Sequence, residues 1–333
     1  MLNKYLFLLL ILIITGMEDI YCSAIDSIAA LSSLNTSSKS QPEPKSKPIE
    51  LHTPSIDDGT IWRVNSDLKP FRLSAVFGAI IIADAIGFKK LSDTWYKTET
   101  TSFHFHHGPR DIREYKQMDK IGHVLDSYYI SHLTSKIYRW AGVSAKKSIL
   151  FGSLTGFLWM LQIEISDGFF EAWGFSYYDF TANIIGSGYS ALQQFHPYPF
   201  KGIRFKVSLW PSQAYRRGLY SDVSNSIVDD YEGFTWWLAF NIHDIVPLGW
   251  QKSYPSWLSP WGFAIGHSIQ NLGIEGVFGG QREVFIGLDF DLTKVYKGDS
   301  YLLKFLLDEF NFIRLPLPAI RLTPSGVWYG FYF

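Results

Sequence analysis

Lys146-Lys-Ser-Ile-Leu-Phe-Gly152-Ser-Leu-Thr-Gly156-Phe-Leu-Trp-Met-Leu-Gln162-Ile-Glu164-Ile-Ser166 is apolar nearly all round once its first residues are passed. The run is long enough for a helix that crosses a bilayer. Its Gly152-x-x-x-Gly156 spacing lets a second helix backbone come close, and Asp167-Gly168 ends it. Three more apolar segments lie around it: Leu73 to Phe88, whose only charge is Asp84; Met118 to Trp140, with several polar residues; and Tyr178 to Phe195. Turn residues such as Ala141-Gly142 separate them. Four such segments in series predict an antiparallel helical bundle over residues 61–200.

Composition points the same way. Charged residues make up 18% and aromatics 17%, whereas a soluble domain carries about a quarter charged residues. So little polar surface implies that a membrane or a partner covers part of the chain. With 30 basic and 31 acidic residues the net charge is −1, which leaves no basic excess for phosphate backbones and excludes nucleic acid as a partner. Lys4 followed by the apolar run Tyr5 to Ile14 is too short for a span and has the form of a signal peptide, with small residues Ser23 and Ala24 offering cleavage. The only cysteine, Cys22, is a candidate lipid-attachment residue, although Tyr21 before it is not the small residue that lipoprotein processing prefers. Cleavage after Ala24 would leave a mature chain with no cysteine and no disulfide. Residues 1–24 therefore read as an export signal, and residues 25–60, rich in Ser, Pro and Lys, as a disordered linker. The basic residues flanking the Ala141-Gly142 turn, and the absence of Lys and Arg between Asp167 and Tyr177, resemble a positive-inside alternation. Counting spans from Lys4 gives the opposite orientation, so topology stays open.

From Gly202 onward the pattern changes. Ile203-Arg-Phe-Lys-Val-Ser-Leu209, Trp261 to His267, Val284 to Phe290 and the terminal Val327-Trp-Tyr-Gly-Phe-Tyr-Phe333 read as strands, while Asp230 to Ile242 and Tyr301 to Phe310 read as helices. Leu315-Pro-Leu-Pro318 is extended. Residues 201–333 are thus expected to form a small aromatic-rich α+β region. The terminal Phe resembles the end of an outer-membrane barrel strand, but there are too few long alternating segments for a whole barrel.

Polar residues stand where apolar ones would be expected in three of the helices. Asp119 and His123 are four apart and share a face, with Lys120 alongside and Asp126 one turn on; Glu164 and Asp167 are three apart; Asp179, Asn183 and Gly186 share a stripe. A lone buried carboxylate is costly, so such groups are paired, hydrogen-bonded or metal-bound. Two readings follow. In one the set is a structural lock, with Lys120 paired to Glu164 and Asp179 capping its helix at Tyr177-Tyr178. In the other it is a functional pocket, either for a divalent cation, which carboxylates and histidine suit, or for acid–base work by His123 beside Asp119. Phe103-His104-Phe-His106-His107 with Asp111 could bind metal adventitiously, but reads first as an aromatic loop leading into the Asp119 helix. His243, His267 and Glu275 are scattered and take no role. There is no phosphate-binding glycine loop, zinc-protease helix or nucleophile elbow.

Taken together, Asp119-Lys120-x-x-His123, Glu164-x-x-Asp167-Gly168, Trp173-Gly-Phe-Ser-x-x-Asp179 and Ala182-Asn183-x-x-Gly186 resemble the YfiM-like family of predicted periplasmic lipoproteins, a domain of unknown function. Asp230-Tyr231-x-Gly233-x-Thr235-x-Trp237-Leu238 resembles a segment of its longer members. The motif order is also similar to that of VanZ-like membrane proteins, although Glu171-Ala-Trp173-Gly174 stands where those have an Arg-rich loop. The resemblance implies an envelope location and supplies no reaction.

The sequence therefore predicts a mainly α, membrane-associated helical bundle followed by a small α+β region, exported to the periplasm or outer membrane. Its expected role is structural or assembly-related, built on a buried polar cluster. The alternative is an enzyme or binder acting on a lipid-linked envelope substrate through Asp119, Lys120, His123, Glu164, Asp167, Asp179 and Asn183. The expected partners are the membrane and a lipid-linked ligand or envelope protein.

Overall fold

The computed structural model describes residues 67–106, 108–218 and 226–333. The export segment, Cys22 and the linker expected up to residue 60 lie outside the described residues. A helical region comes first and a sheet region follows. Helix α1, Pro70–Trp95, opens on a proline, whose missing N–H suits a first helical turn. Helices α2 (Met118–Trp140), α3 (Ala145–Asp167) and α4 (Tyr177–Phe195) follow. Among the described residues, α1 and α3 are long and apolar enough to cross a membrane.

Helix α2 is the buried one, and its neighbours approach it through glycine. A Cβ on Gly152 would fall 2.1 Å from Ser135 Oγ, and one on Gly156 would fall 2.2 Å from Ser131 Oγ. On the other side, a Cβ on Gly186 of α4 would sit 2.1 Å from Val124 O. The close approach expected from the Gly-x-x-x-Gly spacing is therefore the contact α3 makes. Small hydroxyl residues line these seams and bond locally: Ser127 Oγ donates to His123 O at 2.7 Å, and Thr134 Oγ1 reaches across to Gly152 O at 3.1 Å. Such packing needs no apolar core between the helices.

The sheet region holds β1 (Ile203–Leu209), β2 (Phe234–Asn241), β3 (Trp261–Gln270), β4 (Gln281–Phe290), β5 (Leu317–Thr323) and β6 (Val327–Tyr332), each antiparallel to the next in one six-stranded meander. Helix α5, Tyr301–Phe310, lies between β4 and β5 in sequence. One expectation is overturned: Asp230 to Ile242 is not a helix but mostly strand β2. Trp236 on one face packs with Met118 and Leu125 of α2, while Trp237 on the other packs with Phe285. A strand covered on both faces has no polar alternation to mark it.

The sheet curls on itself. Tyr332 Oη of β6 lies 2.9 Å from Thr235 Oγ1 of β2, and the free edge of β1 takes Phe312 O on Val207 N and Arg314 N on Val207 O. The enclosed face holds Lys206 against Asp289 at 2.8 Å and the Arg314 guanidinium 4.1 Å from the Trp237 ring centre. Part of the opposite face receives α2, tied by Trp236 Nε1 donating to Met118 O at 2.9 Å.

Candidate functional site

The site forms where the first turn of α2 meets the loop before it, the end of α3 and the start of α4. Within the segment Gly108–Gln117, the residues Tyr115, Lys116 and Gln117 all have left-handed backbones, with φ of 48°, 50° and 67°. For residues other than glycine this conformation is costly and must be held by its surroundings. Here Tyr115 N donates to Val277 O at 2.9 Å, Lys116 Nζ donates to Phe278 O at 2.8 Å, and the His267 ring nitrogen lies 3.0 Å from Lys116 O. The turn folds Asp111 back over the start of α2.

Lys120 is the centre of the first half of the site. Its ammonium lies 2.5 Å from Asp111 Oδ1, 2.9 Å from Asp119 Oδ2 and 2.7 Å from Asp179 Oδ2. The other oxygen of Asp111 accepts from Ser176 Oγ at 2.5 Å, and Ser176 Oγ in turn accepts from Asp179 N at 3.0 Å, capping α4. The remaining oxygen of Asp119 accepts from Tyr231 Oη at 2.8 Å. Two expectations are corrected here. Lys120 pairs with three aspartates and not with Glu164, because the left-handed turn delivers Asp111 to it. The cap of α4 is Ser176, three residues before Asp179, the usual spacing for a side-chain oxygen that satisfies an early helix N–H.

His123 is the centre of the second half. Its Nδ1 lies 3.1 Å from Asn183 Oδ1 and 3.5 Å from Glu164 Oε1, and its Nε2 lies 3.7 Å from Asp119 Oδ1. Glu164 Oε2 accepts from Ser176 N at 3.2 Å. This half is not satisfied: Glu164 Oε1, Asp179 Oδ1 and Asn183 Nδ2 are buried without a hydrogen-bond partner, although Glu164 and Asn183 are at most 1% exposed. Asp119, His123 and Asp179 offer ligand atoms that all lie within 4.8 Å of one another, close enough to hold a metal ion.

Six of the expected site residues therefore come together: Asp119, Lys120, His123, Glu164, Asp179 and Asn183. Asp167 stands apart, accepting from Tyr96 Oη at 2.7 Å, and Asp126 is exposed. The sequence reading did not assign Asp111, Ser176 and Tyr231 to the site. Ser176-x-x-Asp179 carries a capping signal, whereas nothing local connects Tyr231 to Asp119. The segment before α2 is an aromatic loop, whose Phe103 and Phe105 pack ring against ring with each other and with Phe175 of the α3–α4 connection. His106, Asp111 and Glu114 also sit within metal-ligating distance of one another, but both Asp111 oxygens are already committed. The Glu114 carboxyl is pushed up to about 7, first by burial and then by the Asp111 charge, with Lys120 pulling the other way. A cavity of 520 Å³ lies elsewhere, lined by residues such as Trp210, Arg216, Glu283 and Tyr332, none of them in this cluster.

Residues 113–195 match the model of a family described as Predicted periplasmic lipoprotein (DUF2279). The matched stretch holds all seven residues expected from the sequence and stops before the sheet. It agrees with an exported, envelope-associated protein and gives no activity. The VanZ-like likeness has no counterpart in the match. No curated protein and no solved structure matches the chain.

Proposed function

We propose that the protein is seated in an envelope membrane through α1 and α3, and that the His123 half of its polar cluster binds a divalent cation. One observation carries the reading. The Lys120 half is fully paired, while around His123 two carboxylate oxygens and one amide nitrogen are buried without a hydrogen-bond partner, Glu164 Oε1 meeting His123 Nδ1 only at 3.5 Å. Burying unsatisfied polar atoms is costly. Four carboxylates, those of Asp111, Asp119, Glu164 and Asp179, share the cluster with Lys120 and His123. Burial lowers the His123 pKa, but the charges of Asp179, Asp119 and Glu164 outweigh it and push it up to about 9. A divalent cation held by Asp119, His123 and Asp179 would take the place of that proton. Oxygen ligands with one imidazole suit a transition metal or zinc. Ligands about 2.1 Å from a metal stand roughly 3–4 Å apart, and His123 Nε2 and Asp119 Oδ1 are 3.7 Å apart. If Nδ1 donates to Asn183 Oδ1, Nε2 is left with its lone pair for the metal, the usual outer-sphere arrangement for a ligating histidine. A water on the cation would give Asn183 Nδ2 an acceptor.

The structural reading attaches to the other half: Lys120 ties the loop before α2, α2 itself and α4 into one frame, and that frame fixes the spacing of the His123 half. The 3.7 Å gap between His123 Nε2 and Asp119 Oδ1 suits an ion better than an organic molecule. The polar end of a lipid-linked envelope compound would therefore meet the cation rather than enter the cluster. The test is metal content by mass spectrometry of detergent-purified protein, exposed in turn to zinc, manganese and magnesium and then washed. About one ion per chain is expected in the parent and in Lys120→Arg, with loss in His123→Ala and Asp179→Asn. Equal uptake by parent and His123→Ala would overturn the proposal.

A further inference from the structure

The sheet carries charge on its enclosed face, beside the apolar cluster of Trp237, Ala239, Ala264, Phe285 and Ala319, and an unbroken apolar block on its open face. On its enclosed face lie the ion pairs Lys206–Asp289 and Arg321–Glu283, the Arg314 guanidinium, and Asn311, whose Oδ1 accepts from Lys206 Nζ at 3.0 Å. The open face carries aliphatic and aromatic side chains in register. Ile265 pairs with Ile286, Ile286 with Ile320 and Ile320 with Trp328, and Phe263 pairs with Leu288. These residues are 38–65% exposed: Phe263 38%, Ile265 45%, Ile286 45%, Leu288 47%, Ile320 42% and Trp328 65%. No charged side chain interrupts this block. A soluble antiparallel sheet turns a polar face to water, and an apolar block of this extent is not left to water.

We infer that the open face of β3, β4, β5 and β6 is packed against the acyl chains of a lipid bilayer. Three observations favour lipid over a second copy or another protein. Strands β3 and β4 are each ten residues long, the length at which a tilted strand crosses a hydrocarbon layer. Charged pairs inside with an uninterrupted apolar block outside is the pattern of membrane strands, whereas a protein interface would not require charges in the sheet's own interior. Trp250 and Trp257 stand exposed in the connection entering β3, where amphipathic rings settle at a membrane–water boundary. Closure matters as well, since unpaired strand edges are not tolerated in lipid; the curl toward β2 and the Phe312–Arg314 segment on the β1 edge limit that exposure. The inference shares a membrane with the previous proposal, but rests on the sheet and not on α1 or the cation.

The test uses the full chain in phosphatidylcholine vesicles, with Ile265→Cys, Leu288→Cys and Ile320→Cys each labelled with an environment-sensitive dye. The parent, whose only cysteine is Cys22, is labelled in parallel for subtraction. Ile82→Cys on α1 serves as the marker for the helical membrane reading. The expected result is quenching of the three sheet positions by brominated acyl chains and shielding from aqueous iodide. Iodide quenching at the sheet with lipid quenching at Ile82 would overturn this inference and leave the helical reading standing. Lipid quenching at the sheet but not at Ile82 would do the opposite. Shielding from both quenchers would mean that a protein covers the face, and would also overturn it. The three positions are exposed and far apart in sequence, so failure of one variant to fold leaves two independent measurements.

Discussion

Replacing Lys120 by methionine separates the two halves of the polar cluster. Lys120 is buried, with three aspartate oxygens within 2.9 Å of its ammonium. Methionine keeps much of the volume and removes the only lysine among them. Asp111, Asp119 and Asp179 would then face one another in a site that solvent reaches poorly, and removing one partner of a buried ion pair costs about 3–5 kcal/mol. Glu164→Gln is the contrasting change. Glutamine keeps an acceptor for Ser176 N, and no lysine pairs with Glu164, so the loss is about 1 kcal/mol, the scale of a single hydrogen bond. Thermal unfolding in detergent, followed by tryptophan fluorescence, reads both. At about 2–4 °C per kcal/mol for a chain of this size, Lys120→Met should lower the midpoint by roughly 6–20 °C and Glu164→Gln by only a few degrees. The double variant Lys120→Met/Asp111→Asn should recover part of the loss, because it removes one of the stranded charges. Equal destabilisation by Lys120→Met and Glu164→Gln would refute the division into a paired half and a vacant half.

Three further outcomes are expected. Gly156→Ala places a methyl 2.2 Å from Ser131 Oγ and 2.7 Å from Ser127 O and should cost about 1–3 kcal/mol by overpacking; Gly188→Ala, with nothing within 4 Å, should stabilise by about 0.5–1 kcal/mol through helix propensity, both read by the same unfolding assay. Glu114, with its folded value raised to about 7, binds its proton more tightly in the folded chain, so its contribution is fully present below pH 4.5 and is lost as pH rises through about 7. The melting difference between Glu114→Gln and the parent should accordingly be small at pH 4.5 and favour the variant at pH 8, and a pH-independent difference would contradict the assignment. Intact mass of the native protein should show a chain beginning at Ile25, or at Cys22 with a diacylglycerol adduct, and recovery of Met1 from a cytoplasmic fraction would contradict export.

The helices were legible because length, apolar content and turn residues agreed at each one, and the facing of Asp119 and His123 followed from their spacing on one helix. The partner of Lys120 was not legible. Same-face reasoning makes Glu164 reachable, but the nearer Asp111 is delivered by a left-handed turn at Tyr115-Lys116-Gln117, three residues with no preference for that conformation. The fault at β2 has a similar origin. Phe234, Trp236, Trp237, Leu238 and Phe240 fit helical spacing as readily as a strand buried on both faces, and only the docking of α2 decides between them. The polarity of the sheet was half visible: the alternation in Ile203 to Leu209 placed Arg204, Lys206 and Ser208 on one side, but no single strand says which side is enclosed.

The left-handed turn has a further consequence for how the protein matures. Its anchors are Val277, Phe278 and His267, and the remaining oxygen of Asp119 is held by Tyr231, all of them synthesised and exported after the last helix of the cluster. A nascent chain that has delivered α2, α3 and α4 thus owns every acidic group of the site but lacks the contacts that orient its first turn. The contacts that hold the turn are complete only with the β3–β4 connection in place. A chain cut before that connection is accordingly expected to lack these contacts, and with them the lysine–aspartate frame.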